Sequence, residues 1–243
     1  MDAFFESFRW LYDTTGINLT ILYDAFDRKR FIEGFGTTVN LAASCILLSV
    51  AIGMAGAWLQ SSSLRFTRRV VYWYIQFFRN TPPLVQLYFF YFGVGAYLKT
   101  AAGVPLVSNV SWAILGLSMY AGAFNVEIFR SGIESVPKAT VEAAESFGFS
   151  RLQAYRYIVL PLAFRVCLPA LNNNLVNLVK TTSISYAIAV PEMLYVSAQI
   201  WSDSVNVKEM MNVLLICYVG LVGLFVLAMH RWERTMRVPG YGG

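Results

Sequence analysis

Polar and charged side chains that could guide a solute are concentrated in one otherwise apolar stretch, residues 172–185. If this stretch is a helix, Asn173, Asn177 and Lys180 share one face. Inside a membrane such groups are energetically costly and mark functional sites. Alternatively, the asparagines hold helices together through hydrogen bonds. We predict a substrate pathway that is lined by Asn173, Asn177, Lys180, Thr181, Thr182 and Ser185.

The sequence lacks the residue patterns of catalysis and nucleotide binding. It contains one histidine, His230, and neither an HExxH nor a GxSxG motif. No Gly-x(4)-Gly-Lys-Ser/Thr pattern occurs, so the chain has no P-loop to hold a nucleotide. Cys45, Cys167 and Cys217 lie far apart in apolar stretches, which indicates buried thiols rather than a metal site. We expect no enzyme activity, no metal and no cofactor in this chain.

The elements that position these residues are membrane-spanning helices. The chain is 57% hydrophobic over 243 residues, with a mean hydropathy of +0.53, which is unusually apolar for a soluble domain. Its net charge of +5 comes from small scattered groups, so nucleic-acid binding is not indicated. Because a spanning helix needs about 20 apolar residues, we predict an all-α integral membrane protein with five spans, the second starting as early as Val70: residues 37–59, 79–99, 111–129, 165–188 and 210–229.

The distribution of lysine and arginine predicts the orientation of these spans. Three arginines follow the first span, five basic residues follow the third, and three arginines follow the last. The loops 99–110 and 190–209 have one lysine each. Basic loops face the cytoplasm, so residues 1–33 form an N-terminal segment outside, and the domain of residues 34–243 ends in the cytoplasm. The basic run at residues 28–30 disagrees, although nearby acids partly neutralise it.

A charged segment, about residues 131–162, interrupts the apolar pattern with two short helices. Pro137 suits the first turn of a helix, and Val141, Ala144 and Phe147 follow as an apolar stripe. Gly148 then ends the first helix, because glycine tolerates the left-handed backbone of a C-terminal cap. Ser150 and Gln153 fit a capping box for a second helix, and Pro161 marks its expected end. The segment therefore predicts a hinged pair of helices.

This segment resembles the "EAA" loop of ABC-transporter permeases, the membrane subunits of ATP-driven importers. The resemblance is in Glu142-Ala143-Ala144, in Gly148 and in Leu160-Pro161. Three further stretches resemble the polar amino-acid branch of the family: residues 78–87, residues 127–137 and the tail Val238-Pro239-Gly240. In residues 78–87, Asn80 replaces the usual glycine and Pro83 the usual leucine. The resemblance implies ATPase-coupling residues Glu142, Ala143, Ala144, Gly148, Leu160 and Pro161.

The same resemblance implies partners and a mechanism. The loop would dock on a separate ATPase dimer, which carries the ATP and Mg²⁺. A second permease subunit, the same chain or a sister chain, would complete the pathway, and a periplasmic or extracellular binding protein would deliver the substrate. The site of action would be the bacterial cytoplasmic (inner) membrane, in contact with lipid. The helix expected within residues 191–207 would face that binding protein or anchor the chain at the membrane surface.

Lys180 predicts the class of substrate. Many relatives read Leu-Lys-Asp-Thr-Ser-Leu here, whereas this chain has Thr181 in place of the acid. An unpaired cation in a low-dielectric passage attracts anions, so we expect an acidic or broadly polar amino acid. Two alternatives are an autonomous secondary amino-acid carrier, which would not need a coupling loop, and a membrane-embedded enzyme, for which no nucleophile–base pair is evident.

Overall fold

The computed structural model describes residues 2–101 and 103–236, which fold into helices joined by loops. The predicted tail motif, Val238-Pro239-Gly240, lies outside the described residues. A single β-bridge joins Lys99 to Pro105 in the part of the chain described. Eleven α-helices form in these ranges: α1 Asp2–Thr15, α2 Thr20–Tyr23, α3 Ala25–Gln60, α4 Arg65–Asn80, α5 Pro83–Tyr88, α6 Asn109–Glu134, α7 Lys138–Ser146, α8 Arg151–Ala154, α9 Leu160–Thr181, α10 Met193–Ser204 and α11 Val207–Met236.

Four helices within the described ranges are long and apolar enough to cross a membrane. They are Ala25–Gln60, Asn109–Glu134, Arg151–Ile188 and Val207–Met236. At about 1.5 Å per residue, even the shortest of them is about 39 Å long, which exceeds the roughly 30 Å hydrocarbon core. These helices contain the predicted first, third, fourth and fifth spans, so the all-α membrane fold is confirmed.

The predicted second span, residues 79–99, is not one continuous helix. The helix is interrupted between α4 and α5, at Thr81 and Pro82. After α5 the segment ends in a π-helical turn, Phe89–Val94, and a 3₁₀ turn, Gly95–Tyr97. Pro82 has no N–H for the carbonyl of Phe78. The buried Gln86 side chain replaces that donor, since its Nε2 donates to Phe78 O at 2.9 Å and to Thr81 O at 2.9 Å. The break is therefore a stabilised feature.

The bundle is centred on α3 and α6, which pack closely because both carry small residues. A Cβ placed on Gly53 would lie 2.4 Å from Asn125 Cβ, and one on Gly56 would lie 2.3 Å from Val126 Cγ2. Close approach through glycine is how membrane helices associate without a hydrophobic driving force. Gly53 thus lies at a close contact between helices, whereas a Cβ on Gly220 would meet no atom within 4 Å.

The first membrane-spanning helix, α3, begins before the predicted start of the first span. Asp24 caps α3, accepting from the backbone N–H groups of Phe26 and Asp27. The charged residues that follow are compensated, since Arg30 pairs with Asp27 at 2.7 Å and with Asp203 of α10 at 2.8 Å. Residues 25–33, expected in a separate outer segment, therefore continue α3 and attach it to α10.

The helix that follows the hinge does not end at Pro161. It runs from Arg151 to Ile188, through Pro161 and through Pro169, which lies inside α9. A wider π-helical turn, Tyr155–Val159, comes directly before α9, and Pro161 occupies the first turn of α9. A π-bulge accommodates a proline within a continuous helix, so the predicted end at Pro161 is wrong. The return to the membrane lies within one long helix.

Candidate functional site

The segment between α6 and α9, residues 135–159, is named here the hinged segment. Its first helix, α7, follows Pro137 at the N-cap position and ends at Ser146. Gly148 has a φ of +86°. The Gly148 N–H donates to Glu145 O at 3.0 Å, and the Phe149 N–H donates to Ala144 O at 3.2 Å. This pair of bonds is a Schellman cap, so the prediction that Gly148 ends the helix is confirmed.

The second helix of the hinged segment begins as predicted. Ser150 and Gln153 form a capping box, in which Ser150 N–H donates to Gln153 Oε1 at 2.8 Å. Val159 belongs to a small apolar cluster with Val136 and Ala163, which packs the segment against α9. Ala144 is also buried, where α7 meets the following helix. Local capping and this cluster together fix the angle between the two short helices.

The outer surface of the hinged segment presents apolar side chains to the surroundings. Phe147 is 84% exposed and Leu152 is 76% exposed. Phe147 was expected in the buried stripe of α7, but the helix ends before it, so the ring points outward. Glu142 is exposed as well, and its carboxylate makes no ion pair or hydrogen bond within the described part of the chain. The exposed side chains of Phe147 and Leu152 form an apolar surface, named here the knob, and Glu142 of the same segment has an unpaired carboxylate.

The predicted coupling residues fall into two groups. Glu142, Ala143 and Gly148 are exposed on the knob, whereas Ala144 is buried beneath it. Leu160 and Pro161 lie beyond the π-helical turn, at the start of α9, and both are exposed. Leu160 lines an apolar hollow of about 390 Å³ between α3, α6 and α9. Sequence reasoning did not identify Phe147 and Leu152 as exposed residues. The available signal was that both are apolar and lie on either side of the glycine hinge.

The predicted pathway residues are only partly brought together. Asn173, Asn177 and Lys180 form an exposed strip along α9. Thr182 and Ser185 are buried instead, and their hydroxyl groups donate to Val179 O at 2.8 Å and to Thr182 O at 2.6 Å. These two side chains satisfy the backbone of the 3₁₀ turn and do not face an open passage.

The neighbouring asparagines hold helices together. Asn174 Nδ2 donates to Asn125 Oδ1 at 2.8 Å and to Ala121 O at 3.1 Å, joining α9 to α6. Asn172 Nδ2 donates to Glu233 Oε2 at 3.3 Å, joining α9 to α11. These two residues therefore form hydrogen bonds between helices of the same chain. The exposed strip therefore contains fewer residues than the polar run 172–185.

Lys180 lies at a hollow of about 500 Å³ between α9 and α11. Ser183, Tyr218, Val219, Val222 and Gly223 line it as well. The Lys180 ammonium makes no ion pair or hydrogen bond in the described ranges. The Tyr218 hydroxyl donates to Glu192 Oε2 at 3.0 Å, and Glu192 in turn accepts the N–H groups of Leu194 and Tyr195. The hollow is therefore lined by an unpaired cation and by a tyrosine that is hydrogen-bonded to a buried carboxyl.

Burial raises the pKa of the Glu192 carboxyl above its ordinary value, although its hydrogen bonds oppose the shift. Tyr218 and Glu192 were missed as site residues. Glu192 could have been noticed as the residue after a proline at a helix start. Tyr218 lies 26 positions further along an apolar run, so its position beside Glu192 depends on the packing of α10 against α11.

Comparisons with known proteins show the family of this chain. The profile of a family described as "binding-protein-dependent transport system inner membrane component" matches residues 48–238. The histidine/lysine/arginine/ornithine transport system permease protein HisM of Salmonella typhimurium is 32% identical over 216 residues, which cover 85% of this chain and 91% of that protein. The probable amino-acid permease protein YxeN of Bacillus subtilis is 29% identical over 208 residues, covering 86% and 92%.

Solved structures have the same architecture. A chain from the crystal structure of an amino acid ABC transporter with histidines superposes with a TM-score of 0.79 at 26% identity, covering 90% of this chain and 99% of that one. A chain of the inward-facing MetNI methionine ABC transporter superposes with a TM-score of 0.68 at 19% identity, covering 86% and 97%. The second similarity is one of fold.

Proposed function

The chain belongs to the family of binding-protein-dependent transport system inner membrane components, and from this premise we propose that it is the permease subunit of an ATP-driven importer of polar amino acids. It is a non-catalytic permease subunit, and a separate ATPase hydrolyses the ATP. The observation that carries the proposal is the hinged segment, in which a capped glycine bend presents Phe147 and Leu152 outward. Exposed apolar side chains grouped in this way mark a protein contact.

The hinged segment docks on the ATPase dimer in this proposal. Phe147 and Leu152 enter an apolar groove of the ATPase, and Glu142, which has no partner in the described chain, meets a basic group at its edge. ATP and Mg²⁺ are held by the ATPase. For ATP to drive transport, nucleotide must bind the outward and inward states with different affinity. The long helix that starts at Arg151 transmits the movement, because it joins the knob to α9 without a break.

Five crossings with the N-terminus outside are part of the proposal. The remaining crossing, second along the chain, is the broken segment from Arg65 to Tyr97, which is 33 residues long. Its break is internally satisfied by Gln86, as the membrane interior requires of backbone carbonyls. The arginines after α3 and α6 support a cytoplasmic position for the hinged segment. In this proposal α10 lies on the opposite side, where a substrate-binding protein docks. The protein is multi-pass in a bacterial inner membrane.

A second permease subunit completes the pathway. Five crossings are too few to enclose a passage, and the exposed strip of Asn173, Asn177 and Lys180 has no helix covering it in the described chain. Polar groups facing lipid are costly, so a second copy or a sister chain covers this strip. The substrate passes between the two subunits, beside the hollow that Lys180 lines.

Lys180 selects for a carboxylate, so acidic and broadly polar amino acids are favoured over cationic ones. By contrast, the relative HisM is named for histidine, lysine, arginine and ornithine. Lys180→Ala should lower glutamate uptake more than tenfold, because a charge-assisted hydrogen bond contributes about 1.5–3 kcal/mol. Arginine uptake should not fall. Lys208→Ala, which removes an exposed lysine from the first turn of α11 and outside the hollow, is the control. Unchanged glutamate uptake in Lys180→Ala would contradict this selection.

Purification of the chain from native membranes, followed by identification of every attached subunit, tests the function as a whole. We expect an ABC ATPase, a second permease chain and a binding protein, and uptake into vesicles that requires ATP. Uptake by the purified chain alone, driven by an ion gradient, would identify an autonomous carrier and overturn the proposal.

A further inference from the structure

A basic hollow lies at the end of the bundle that carries the hinged segment, on the side of α4. It has a volume of about 390 Å³ and is lined by Gln60, Arg68, Arg69, Tyr72 and Arg130. These residues come from the last turn of α3, the first turns of α4 and the last third of α6. The volume falls in the range of roughly 300–1,000 Å³ that is typical of small-ligand pockets. Nothing in the transport mechanism uses it.

The hollow carries uncompensated positive charge. Arg130 is neutralised by Glu127 at 2.8 Å and by Glu134 at 2.7 Å. By contrast, Arg68 and Arg69 form no ion pair or hydrogen bond with any side chain in the described ranges. The guanidinium groups of Arg68 and Arg69 therefore line the hollow without a counter-charge of their own. Their planar donors match phosphate oxygens in geometry and charge.

The surroundings of the hollow favour an amphiphilic ligand. On α4, Phe66 is 79% exposed and Trp73 is 64% exposed, and Val70 is exposed between them. Arg68 and Arg69 lie in the first turns of this crossing segment, at the level of lipid headgroups, and the neighbouring apolar side chains lie where acyl chains would contact them. A ligand held by Arg68 and Arg69 would thus have acyl chains beside these apolar groups, which a free phosphate ion could not use.

We propose that this hollow binds the phosphate of one anionic phospholipid per chain. The headgroup phosphate is held between Arg68 and Arg69, and the acyl chains lie along the exposed face of α4. Because Arg130 lies one turn before the end of α6, where the hinged segment begins, the bound lipid joins α4 to α6 close to that segment. The inference requires a membrane-embedded chain, and it does not depend on which solute is carried.

Native mass spectrometry of the purified transporter, titrated with phosphatidylglycerol or phosphatidylcholine, tests the proposal. The wild type should bind one phosphatidylglycerol per permease chain in preference to phosphatidylcholine. Arg68→Gln/Arg69→Gln should bind phosphatidylglycerol about thirtyfold more weakly, since each arginine near a membrane surface contributes about a twofold to tenfold gain in affinity for anionic lipid. Both arginines are exposed, so the substitution should not disturb folding.

The matched control is Arg231→Gln/Arg234→Gln, which removes two exposed arginines from the end of α11, outside the hollow. It should bind phosphatidylglycerol like the wild type. Equal binding by Arg68→Gln/Arg69→Gln and the wild type would overturn the proposal, as would equal binding of phosphatidylcholine. Complete displacement of phosphatidylglycerol by excess inorganic phosphate would also overturn it, because the site would then be one for a soluble anion.

Discussion

Replacing Gly148 with alanine tests the hinge through backbone conformation alone. Gly148 has a φ of +86°, and no atom lies within 4 Å of the position that a Cβ would occupy. The substitution therefore adds strain without a clash. An L-residue in the left-handed region costs about 1–2 kcal/mol. This cost changes the equilibrium between bent and straightened forms of the segment by a factor of about 5–30.

The measurement is the substrate-stimulated ATPase activity of the complete transporter in lipid nanodiscs. In Gly148→Ala we expect stimulation to fall about fivefold or more, in line with the shifted equilibrium, while membrane insertion is unchanged. Gly148→Val should fall further, because a β-branched residue tolerates positive φ less well. Gly16→Ala is the control: Gly16 also has a positive φ of +74° with open space around it, but it lies between α1 and α2, far from the hinge.

Wild-type stimulation in Gly148→Ala would refute the reasoning. An equal loss in Gly16→Ala would also refute it, since the effect would then arise from strain anywhere in the chain. A loss confined to position 148 supports a mechanical role for the bend.

Two further predictions concern buried polar groups, and thermal unfolding in detergent checks both. Gln86→Leu should lower stability by about 1–3 kcal/mol, because two backbone carbonyls lose their donor; Gln76→Leu, at an exposed bond, should change it by about 0.5 kcal/mol or less. Glu192→Ala should cost about 0.5–2 kcal/mol through the lost helix cap, and Glu192→Gln should recover most of it. Since the folded pKa of Glu192 is raised above 4.5, wild-type stability should fall relative to Glu192→Gln as the pH rises from 4.5 through the raised value; parallel pH profiles would contradict this.

Features determined by neighbouring residues could be predicted from the sequence. The hinge is an example: Gly148 is needed for a positive φ, and Ser150 with Gln153 satisfies the first turn of the next helix. These interactions close within four residues, so the residue types specify them. The membrane helices also followed from composition, because length and hydropathy alone decide whether a helix can span a bilayer.

Features that depend on how the helix geometry departs from a regular α-helix could not be predicted. The break at Pro82 is stabilised by Gln86, and this required knowing that the side chain turns back toward Phe78. The hydroxyl groups of Thr182 and Ser185 donate to the carbonyls of Val179 and Thr182, three residues earlier, where the helix tightens to a 3₁₀ turn. Polarity within an apolar stretch placed these two side chains in the predicted pathway, and polarity alone does not reveal that they bond to the backbone.

The central claim is that the knob at Phe147 is the contact with an ATPase. Site-specific photo-crosslinking in native membranes tests it most directly, with p-benzoylphenylalanine in place of Phe147 or, as a control, of Tyr97. Tyr97 is 89% exposed and lies before the start of α6, whereas Phe147 follows its end, so about 39 Å of helix separates them. The account predicts an ATPase adduct from position 147 and none from position 97. An adduct from position 97 alone, or none from position 147 in the assembled transporter, would contradict it.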